Sequence, residues 1–556
     1  MDERPPIHPA LARYRDTPPK HLRTYPDLHE HVLALAREGL LVVVDETINK
    51  DTEMHPLVRW QYRGGIPEPE RKAFLFTQPT DSKSRHFDIA VLVAGLAANR
   101  DVYRVGFGKP LEDIGRAWVN AVANPIAPRV IENAPCQEVV LTGSDLDQDG
   151  NSLDGLPVPI STPGWDNAPY LSAGHYITKD PDSGIQNLGN YRGQLKAPRR
   201  LGMNPSVELR AGIYAHWEKY KARGEPMPCA VVVGCPPVIS YASVQKLASD
   251  LDELAVAGGI AGGPINVVRA KTVDLLVPAE AEIVIEGFIN TEMLEPEAPF
   301  GESHGYVNLQ EYNAFMDVTA ITRRRHPILT SFISQVTPSE SSVIRRVAME
   351  PLFLDHLKST LSIRGIKRVV MHEPLTSLYA VIAIQFARGT PETEIWRALY
   401  GASALHRFAG KWIVAVDEDI DTENADALFW AMSYRCQPQH DLKIVEHKDP
   451  GHGPRGPRDE GESAGVLINA TLKGTFAPVA LPKREFMERA KAIWERLGLP
   501  PLEPETPWHG YDLGHWPKEF ERQAQMAVES DYFALGRDQS NERRNDVPMN
   551  TPVERD

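Results

Sequence analysis

The sequence predicts a mixed α/β and β protein, with an N-terminal α/β segment, a central barrel-like β domain and a C-terminal α/β domain that ends in a helical tail. Three observations support this class. A helical spacing of apolar residues precedes a strand-like apolar run near the N-terminus, many short apolar segments between Gly, Pro and Asn fill the middle, and helix and strand patterns return after Pro338. A chain of 556 residues also exceeds what one hydrophobic core usually supports.

The first domain is predicted over residues 1–126. Apolar residues have helical spacing over 28–36, Gly39 ends that helix, and the run 40–44 is typical of a strand. Similar signals continue to about Ile126, where a proline-rich stretch indicates a boundary.

The central domain is predicted over residues 127–330. Short apolar segments indicate strands at 137–141, 230–234, 265–268, 273–277, 283–288 and 312–322. Helical spacing indicates inserted helices at 207–221 and 243–256. Many short strands with turn residues between them favour a small barrel or a folded sheet.

The third domain is predicted over residues 331–500, and an extension over 501–556. Strand and helix signals alternate at 369–371, 379–385, 392–402 and 411–416. The stretch 447–462 is dense in Gly, Pro and charge, which predicts a loop. An amphipathic helix is expected at 485–497, another helix near 518–527, and a disordered polar tail from about Gly536.

The composition is that of an ordinary globular protein, with 42% apolar and 24% charged residues and a net charge of −15. The negative charge argues against nucleic acid or an anionic membrane as the main partner. No apolar run approaches the ~20 residues that span a bilayer, and the first residues lack the apolar core of a signal peptide, which together predict a cytoplasmic protein. The four scattered cysteines predict reduced, buried thiols.

Two carboxylates, Glu297 and Glu302, flank a turn that contains Pro299 and Gly301. Pro299 favours extended geometry at Ala298, and Gly301 can take a positive φ, so the backbone is expected to hold the acids close together. Like charges raise the pKa of one acid, which is the pattern of a general acid beside an orienting base. An ordinary acidic surface turn is the alternative.

A second motif lies upstream of this turn. Thr178, Asp180, Pro181 and Gly184 precede Asn187 and Arg192, which are five residues apart. Together with the turn, this stretch resembles the UbiD family of reversible aryl and acrylic acid decarboxylases, which use prenylated FMN. The likeness continues at 417–421, 430–431, 435–438 and 470–473, so that it covers about residues 20–500.

The resemblance implies a function for the chain. It implies reversible, non-oxidative decarboxylation of an aromatic or α,β-unsaturated acid, with prenylated FMN bound to the central, split-barrel-like domain as the electron sink. Loss of CO₂ from an sp² carbon leaves a carbanion that no side chain can delocalise, so a cofactor is needed. The implied catalytic residues are Glu297 as proton donor, Glu302 as its ionised partner and Arg192 as the clamp between carboxylates.

The resemblance also implies cofactor contacts and a metal site. The expected cofactor-binding residues are Asn187, Tyr191, Arg192, Gln194, Arg210, Gly263, Pro264 and His304. Family members hold the flavin phosphate through a divalent metal such as Mn, with K⁺ nearby, using the asparagine, a histidine and a glutamate. Here the histidine position falls at 208–210 and the glutamate position on Gly263. Asn187 and Glu208 are therefore the expected metal ligands, and whether a metal or K⁺ binds stays open.

Alternatives remain at this point. The chain could be an accessory subunit of a carboxylase complex, or could reuse the fold with plain FMN or no cofactor. An aroyl-CoA conjugate could be the substrate, with Arg199, Arg200 and Arg210 near its phosphates. The resemblance further implies an aryl or unsaturated carboxylate as partner, a flavin prenyltransferase as cofactor supplier, and a homodimer or homohexamer.

Overall fold

The computed structural model describes residues 8–15, 23–207, 211–245, 247, 251–373, 379–406, 409–449, 462–474, 476–503 and 516–553. The first part of the chain contains α1 (Leu28–Arg37), β1 (Leu41–Asn49), α2 (Met54–Arg63), β2 (Ala73–Thr80), β3 (Ala90–Val93), α3 (Arg100–Phe107) and α4 (Leu111–Ala123). The middle contains β4 (Arg129–Val130), β5 (Val139–Thr142), β6 (Tyr170–Leu171), β7 (His175–Lys179), β8 (Gln186–Asn190), β9 (Gly193–Ala197), β10 (Arg200–Met203), α5 (Gly212–Arg223), β11 (Met227–Val233), α6 (Pro237–Ser243), α7 (Glu253–Ala261), β12 (Asn266–Arg269), β13 (Leu276–Pro278), β14 (Ile283–Ile289), β15 (Glu295–Glu297), β16 (Phe300–Gly301), β17 (Val307–Asn308), β18 (Glu311–Asn313), β19 (Phe315–Arg323) and β20 (Ile328–Ser331). The last part contains α8 (Glu340–Asp355), β21 (Ile366–Met371), β22 (Val381–Phe386), α9 (Glu392–Leu405), β23 (Trp412–Asp417), α10 (Ala425–Arg435), α11 (Pro438–Asp441), β24 (Leu442–Lys448), β25 (Ser463–Asn469), α12 (Arg484–Arg496), α13 (Lys518–Val528) and α14 (Tyr532–Asn541).

The first sheet has the strand order β1-β2-β3-β20. Helix α1 begins with a capping box, in which Asp27 and Glu30 each bind the other's backbone N–H, and it buries Leu28, Val32 and Leu35. The predicted helix and strand at the start of the chain are therefore confirmed. Strand β20 pairs parallel with β3, so the chain returns to this sheet after it has passed through the middle of the fold.

The central sheet is a curled half-barrel with the order β6-β9-β10-β19-β14-β11-β7-β8, and β5 pairs with β19. The pairing of β14 with β19 is antiparallel and carries a register shift between Glu286 and Gly287. A bulge of this kind increases local twist and bends the strand, which suits a curled sheet. The predicted mixed class with a barrel-like central sheet is confirmed.

Two predicted helices of the middle region differ in the structure. The helix predicted at 243–256 is wrong: α6 ends at Ser243, and α7 begins only at Glu253. Asp252 caps α7, because its side chain accepts the backbone N–H of Leu254 at 2.8 Å, so the chain starts a new helix there. The helix predicted at 207–221 begins at Gly212, and residues 208–210 lie outside the described residues.

The last sheet has the order β21-β22-β23-β25-β24. Strands β22, β23 and β25 are parallel, and β21 and β24 flank them in antiparallel pairings. The predicted alternation of strands and helices is confirmed. No strand was predicted at the positions of β24 and β25. The loop predicted at 447–462 overlaps the end of β24, and residues 450–461 of it lie outside the described residues.

The C-terminal helices α12 and α13 confirm the two helices predicted there. Disorder predicted from Gly536 is wrong for the segment up to Asn541, which belongs to α14. The predicted domain boundaries stay a prediction, although β20 lies in the first sheet rather than the central one. Within the described residues, the four cysteines are free and buried, and no helix combines the length and apolar character needed to cross a bilayer.

Candidate active site

The structure brings Arg192, Glu297 and Glu302 together, although more than 100 residues separate Arg192 from the two acids. Arg192 lies between β8 and β9, Glu297 ends β15, and Glu302 follows β16. The Arg192 guanidinium donates from Nε and Nη2 to both oxygens of Glu297, at 2.8 and 2.6 Å, and from Nη1 to Oε1 of Glu302 at 2.6 Å. One planar guanidinium is thus shared by two carboxylates.

Burial differs between the two acids. Glu297 is 0% exposed and also accepts a hydrogen bond from Asn313 Nδ2 at 3.3 Å, whereas the Glu302 side chain is 20% exposed. Burial by itself lowers the pKa of Arg192, but the hydrogen bonds and charges of Glu297 and Glu302 outweigh it and raise that pKa above its usual value. The guanidinium therefore remains a permanent cation that also lies over the Phe300 ring, 5.2 Å from its centre.

The backbone of the turn departs from the sequence expectation. Ala298 is not extended but has φ +77°, and the positive-φ glycine is Gly305 rather than Gly301. The strained Ala298 is held by three hydrogen bonds: its N–H donates to the Tyr170 hydroxyl, and its carbonyl accepts from Asn167 and Gln310 side chains.

Gly301 is required for close approach. A Cβ at this position would stand 2.3 Å from Oγ1 of Thr162, inside contact distance. The turn can therefore lie against the loop 161–167 only because residue 301 has no side chain.

The loop 161–167 was missed by the sequence analysis, yet it anchors the turn. Asp166 accepts backbone N–H groups of Gly301, at 2.8 Å, and of Thr162, at 2.7 Å. Asn167 donates to the Ala298 carbonyl at 2.7 Å and accepts from Gln194 at 2.9 Å. The run of Ser, Thr, Pro, Gly, Asp and Asn in this loop is a turn signal that could have drawn attention to it.

Asp166 lies in an environment that disfavours its charge. Burial raises the pKa of the Asp166 carboxyl to about 6, against the lowering effect of the backbone N–H groups that it accepts from Gly301, Thr162 and Ser161. In its two shortest hydrogen bonds Asp166 nevertheless acts as the acceptor, once through each oxygen. This suits the ionised carboxylate near neutral pH.

Several of the predicted cofactor residues line the sheet beside this cluster. Asn187 lies on β8 and packs against the first residue of α5, because a Cβ on Gly212 would stand 2.2 Å from its Oδ1. Asn187 Nδ2 and Gln194 Oε1 are buried without a hydrogen-bond partner among the described residues. Tyr191 is partly buried, and desolvation raises the pKa of its hydroxyl well above the usual value. Unpaired buried polar atoms of this kind are normally satisfied by a ligand or water.

Of the remaining residues predicted to bind the cofactor or metal, those that the structure describes lie outside this part of the sheet. His304 makes both of its ring hydrogen bonds within its own turn. Its Nδ1 accepts the Tyr306 N–H at 3.2 Å, and its Nε2 lies 3.0 Å from Asn308 Oδ1. Gly263 and Pro264 follow α7, and a Cβ on Gly263 would stand 2.7 Å from Thr24, so Gly263 packs against the N-terminal part of the chain. Glu208 and Arg210 lie outside the described residues.

A glutamate that the sequence analysis did not select binds the strand next to Asn187. Glu253, the first residue of α7, accepts the backbone N–H of Leu188 at 3.0 Å and is buried. Gly263 lies beyond the opposite end of the same helix, which is about 13 Å long at 1.5 Å per residue. Glu253 therefore lies at Leu188, the residue after Asn187 in β8, whereas Gly263 packs against Thr24. Within the described residues no cluster of three or more His, Cys, Asp or Glu could hold a metal by itself.

One arginine shared by two carboxylates on a half-barrel sheet suits the binding of an anion beside a proton donor, and comparison with known proteins assigns the chain to a class of carboxy-lyases. Residues 129–336 match the family described as UbiD, 3-octaprenyl-4-hydroxybenzoate carboxy-lyase Rift-related domain. Residues 343–455 match the C-terminal domain of the same enzymes. The chain belongs to the UbiD family and is a carboxy-lyase.

Relatives match over most of their length. An uncharacterized protein of Aquifex aeolicus is 28% identical over 512 residues, covering 85% of this chain and 99% of the relative. The UbiD-class enzyme HmfF from Pelotomaculum thermopropionicum, solved in complex with FMN, is 27% identical, with a TM-score of 0.72 and coverage of 84% of this chain and 99% of HmfF. Apo 3,4-dihydroxybenzoic acid decarboxylase (AroY) from Klebsiella pneumoniae has 23% identity, a TM-score of 0.69 and coverage of 83% and 99%, and shares the fold.

Proposed function

We propose that the protein catalyses the reversible, non-oxidative decarboxylation of an aromatic or α,β-unsaturated carboxylic acid with prenylated FMN as cofactor. The observation that carries this proposal is the sharing of Arg192 between Glu297 and Glu302 in a UbiD-family half-barrel. Support for the cofactor comes from HmfF, which is 27% identical and has been solved both with FMN and, as an evolved dimeric form, with prFMN.

The residues around the cluster suit a flavin. Asn187 and Gln194 offer buried amide atoms without partners among the described residues, and the partly buried Tyr191 lies between them in the chain. When bound, prenylated FMN supplies the electron sink that the departing CO₂ requires. The protein's own groups bind the acid, orient it and deliver the proton that replaces CO₂.

The geometry favours Glu302 as the proton donor, which reverses the roles expected from the sequence. Both oxygens of Glu297 accept from Arg192, so protonating Glu297 would cost it at least one of these charge-assisted bonds. Glu302 makes a single bond to Arg192, and its 20% exposure gives it access to a proton from solvent. Glu297 then serves as the anionic partner that fixes the orientation of Arg192.

Arg192 has a second role in this proposal. Its positive charge, held by Glu297, is available to a substrate carboxylate whenever Glu302 is protonated, because a neutral acid no longer competes for Nη1. The contact of Arg192 with Glu302 would thus be exchanged for a contact with the substrate carboxylate, while Glu302 holds the proton. Carboxylation follows the same path in reverse.

A divalent metal would be held at Asn187 and Glu253. The buried Glu253 lies against the β8 backbone beside Asn187, and these two oxygen ligands leave positions for a flavin phosphate and water. The ligands expected from the sequence were Asn187 and Glu208, with the family's glutamate position on Gly263. Glu253 takes the place of that glutamate in this proposal, and Glu208 lies outside the described residues.

The free acid is favoured over a CoA conjugate as substrate. Arg199 is paired with Asp147 at 3.0 Å, and Arg200 with Glu295 at 2.7 Å and Asp317 at 2.9 Å. These arginines are already neutralised by acids and are less available to the phosphates of CoA.

A homo-oligomer is proposed through the last sheet. Phe429 and Tyr434 on α10 and Ile444 on β24 are each more than 60% exposed, which is unusual for large apolar side chains. Light scattering after size-exclusion chromatography tests this, and a monomer at micromolar concentration would contradict it.

The function is tested by producing the protein together with a flavin prenyltransferase and identifying the extracted cofactor by mass spectrometry. We expect prenylated FMN in near-stoichiometric amount and CO₂ release from a panel of aryl and acrylic acids. Protein without flavin would support the accessory-subunit alternative. Bound plain FMN, with no prenylated form and no CO₂ release, would support different chemistry on the same fold.

A further inference from the structure

Tyr170, on strand β6, is a buried residue beside the turn of the candidate active site, and no step of the proposed reaction uses it. It is 0% exposed. Its ring centre lies 4.4 Å from that of Phe300, and the Arg192 guanidinium lies 5.2 Å from the centre of the same Phe300 ring. Tyr170, Ala298 and Phe300 form a small apolar cluster that is separate from the larger cores. The ring of Tyr170 therefore supports the turn from the central sheet.

The Tyr170 hydroxyl binds the backbone of the turn. It accepts the N–H of Ala298, the residue after Glu297, at 3.1 Å. Ala298 has φ +77°, a conformation that a residue other than glycine holds only when its surroundings impose it. Because the hydroxyl is the acceptor in this bond, it still has its own proton to donate.

Two acceptors compete for this proton. Oδ1 of Asn167 lies 3.4 Å from the hydroxyl oxygen, which is long for an O–H donor, and it already accepts from Gln194 at 2.9 Å. The Glu297 carboxylate is also within hydrogen-bonding range. Burial, followed by the charge of Glu297, raises the pKa of Tyr170 well above its usual value, so the hydroxyl keeps its proton. The carboxylate is the stronger acceptor, because a hydrogen bond to an ion is stronger than one between neutral groups.

The contacts of Glu297 show why a further bond matters. Its bidentate contact holds Glu297 and Arg192 to each other, but two long side chains can still move as a pair. Tyr170 has only two side-chain torsions, and its ring is packed against Phe300. A bond from its hydroxyl would tie the pair to a rigid group.

We propose that Tyr170 is a positioning residue for the decarboxylation and acts through Glu297. Its hydroxyl accepts the Ala298 N–H and donates to the Glu297 carboxylate, so that Glu297 holds Arg192 in one orientation. The catalytic consequence rests on the proposed function, whereas the contact itself can be tested without turnover.

The contact is tested by a double-mutant cycle of Tyr170→Phe and Glu297→Gln in the flavin-loaded protein, measured by urea unfolding. Tyr170→Phe keeps the ring that packs against Phe300 and removes only the hydroxyl. The loss of the Ala298 contact is common to both backgrounds. We therefore expect Tyr170→Phe to lower the urea midpoint about twice as much in the wild-type background as in the Glu297→Gln background, because only the first contains the charged acceptor.

Turnover is the readout that a purely structural role would leave unchanged. Tyr170→Phe should lower kcat about 10-fold in the wild-type background, because Glu297 and Arg192 lose their orientation. In the Glu297→Gln background it should lower kcat by less than about 2-fold, since the hydroxyl acts through that carboxylate.

Tyr103→Phe is the matched control. Tyr103 is likewise 0% exposed, its ring stacks on Tyr241 at 4.0 Å, and its hydroxyl accepts Nε1–H of Trp118 at 2.9 Å. Tyr103→Phe should lower the urea midpoint equally in both backgrounds and should leave kcat unchanged.

Equal lowering of the urea midpoint by Tyr170→Phe in both backgrounds overturns the proposal, and so does wild-type kcat in Tyr170→Phe. Reductions in kcat that multiply in the double variant overturn it as well. If Glu297→Gln does not fold, Glu297→Asp takes its place in both cycles, because the shorter side chain withdraws the carboxylate from the hydroxyl and keeps its charge. Absence of CO₂ release from every acid tested, with the midpoints still non-additive, would contradict the proposed function alone.

Discussion

Asp166 accepts the backbone N–H of Gly301 at 2.8 Å and thereby ties the turn that carries Glu297 and Glu302 to the loop 161–167. Because Gly301 lies between the two acids in the chain, this bond fixes where each acid points. The same carboxylate accepts the Thr162 N–H at 2.7 Å, so that both of its oxygens are occupied by donors. An acid that never touches Arg192 in the structure therefore helps to determine how Arg192 is shared.

Asp166→Asn should lower kcat about 10-fold and leave flavin content unchanged. An asparagine has only one acceptor oxygen, so either Gly301 or Thr162 would face an N–H₂ group and the turn would shift. Asp81→Asn is the control, because Asp81 also accepts two backbone N–H groups, from Lys83 at 2.8 Å and Arg85 at 2.9 Å, in the first part of the chain. Equal kcat in Asp166→Asn and wild type would show that the turn holds without this anchor.

Glu302→Gln should reduce turnover about 10²-fold or more, because the amide cannot deliver the proton that replaces CO₂. Glu297→Gln should also reduce turnover, since Arg192 would lose its bidentate partner. Both variants should keep the cofactor, as judged by the flavin absorbance of the purified protein. The control is Glu311→Gln, because Glu311 is exposed and lies opposite Glu297 in the pairing of β18 with β15. Turnover in Glu302→Gln at the wild-type rate would remove Glu302 as the proton donor.

Arg192→Met should destabilise the protein by about 3 kcal/mol, because it leaves the fully buried Glu297 without its counter-ion. A lower urea midpoint is the expected measurement. Arg199→Met should leave that midpoint nearly unchanged, since the Arg199–Asp147 pair is on the surface, with side chains 41% and 63% exposed. If both variants behave alike, the Arg192 cluster contributes no more than an ordinary surface ion pair.

Glu340 predicts a pH dependence of stability. Burial raises the pKa of this carboxyl from 4.5 to about 7, against the lowering effect of backbone N–H groups including those of Leu96 and Ile333. The folded state therefore binds more protons than the unfolded state between about pH 4.5 and 7, and stability falls as pH rises through that window. The expected loss is on the order of 3 kcal/mol.

Thermal melting of wild type and Glu340→Gln at pH 5 and pH 7.5 checks this dependence. The wild type should lose more of its melting temperature between these values than the variant, whose side chain does not titrate. Parallel losses in the two proteins would assign the pH dependence to other groups.

Metal content should depend on Glu253 and not on position 263. Glu253→Gln should lower the divalent metal found by elemental analysis, because it removes the carboxylate beside Asn187. Gly263→Glu should leave metal content unchanged, since Gly263 packs against Thr24 beyond the far end of α7. The opposite pattern would show that the family's glutamate position falls on residue 263, as expected from the sequence, and not on Glu253.

Much of the fold followed from local patterns. Helix α1, the strands β5, β11, β14 and β19 of the central sheet and the alternation in the last part of the chain were predicted because burial of an apolar face imposes a spacing that can be read in the residues themselves. Strands β6 to β10 of the same sheet carried no prediction. The prediction of one helix over 243–256 was wrong because the apolar spacing was taken as continuous across Asp252. The side chain of Asp252 instead caps a new helix that begins after it.

The sequence by itself determined the family and the residue types of the site, since Arg192, Glu297 and Glu302 stand in two local motifs. Only the tertiary structure decided that Arg192 gives its bidentate contact to Glu297, that Glu253 rather than position 263 lies beside Asn187, and that Asp166 anchors the turn. The physical reason is the same in each case. Hydrogen bonds and burial act through distance in space, and these partners come from segments 65 to 135 residues apart.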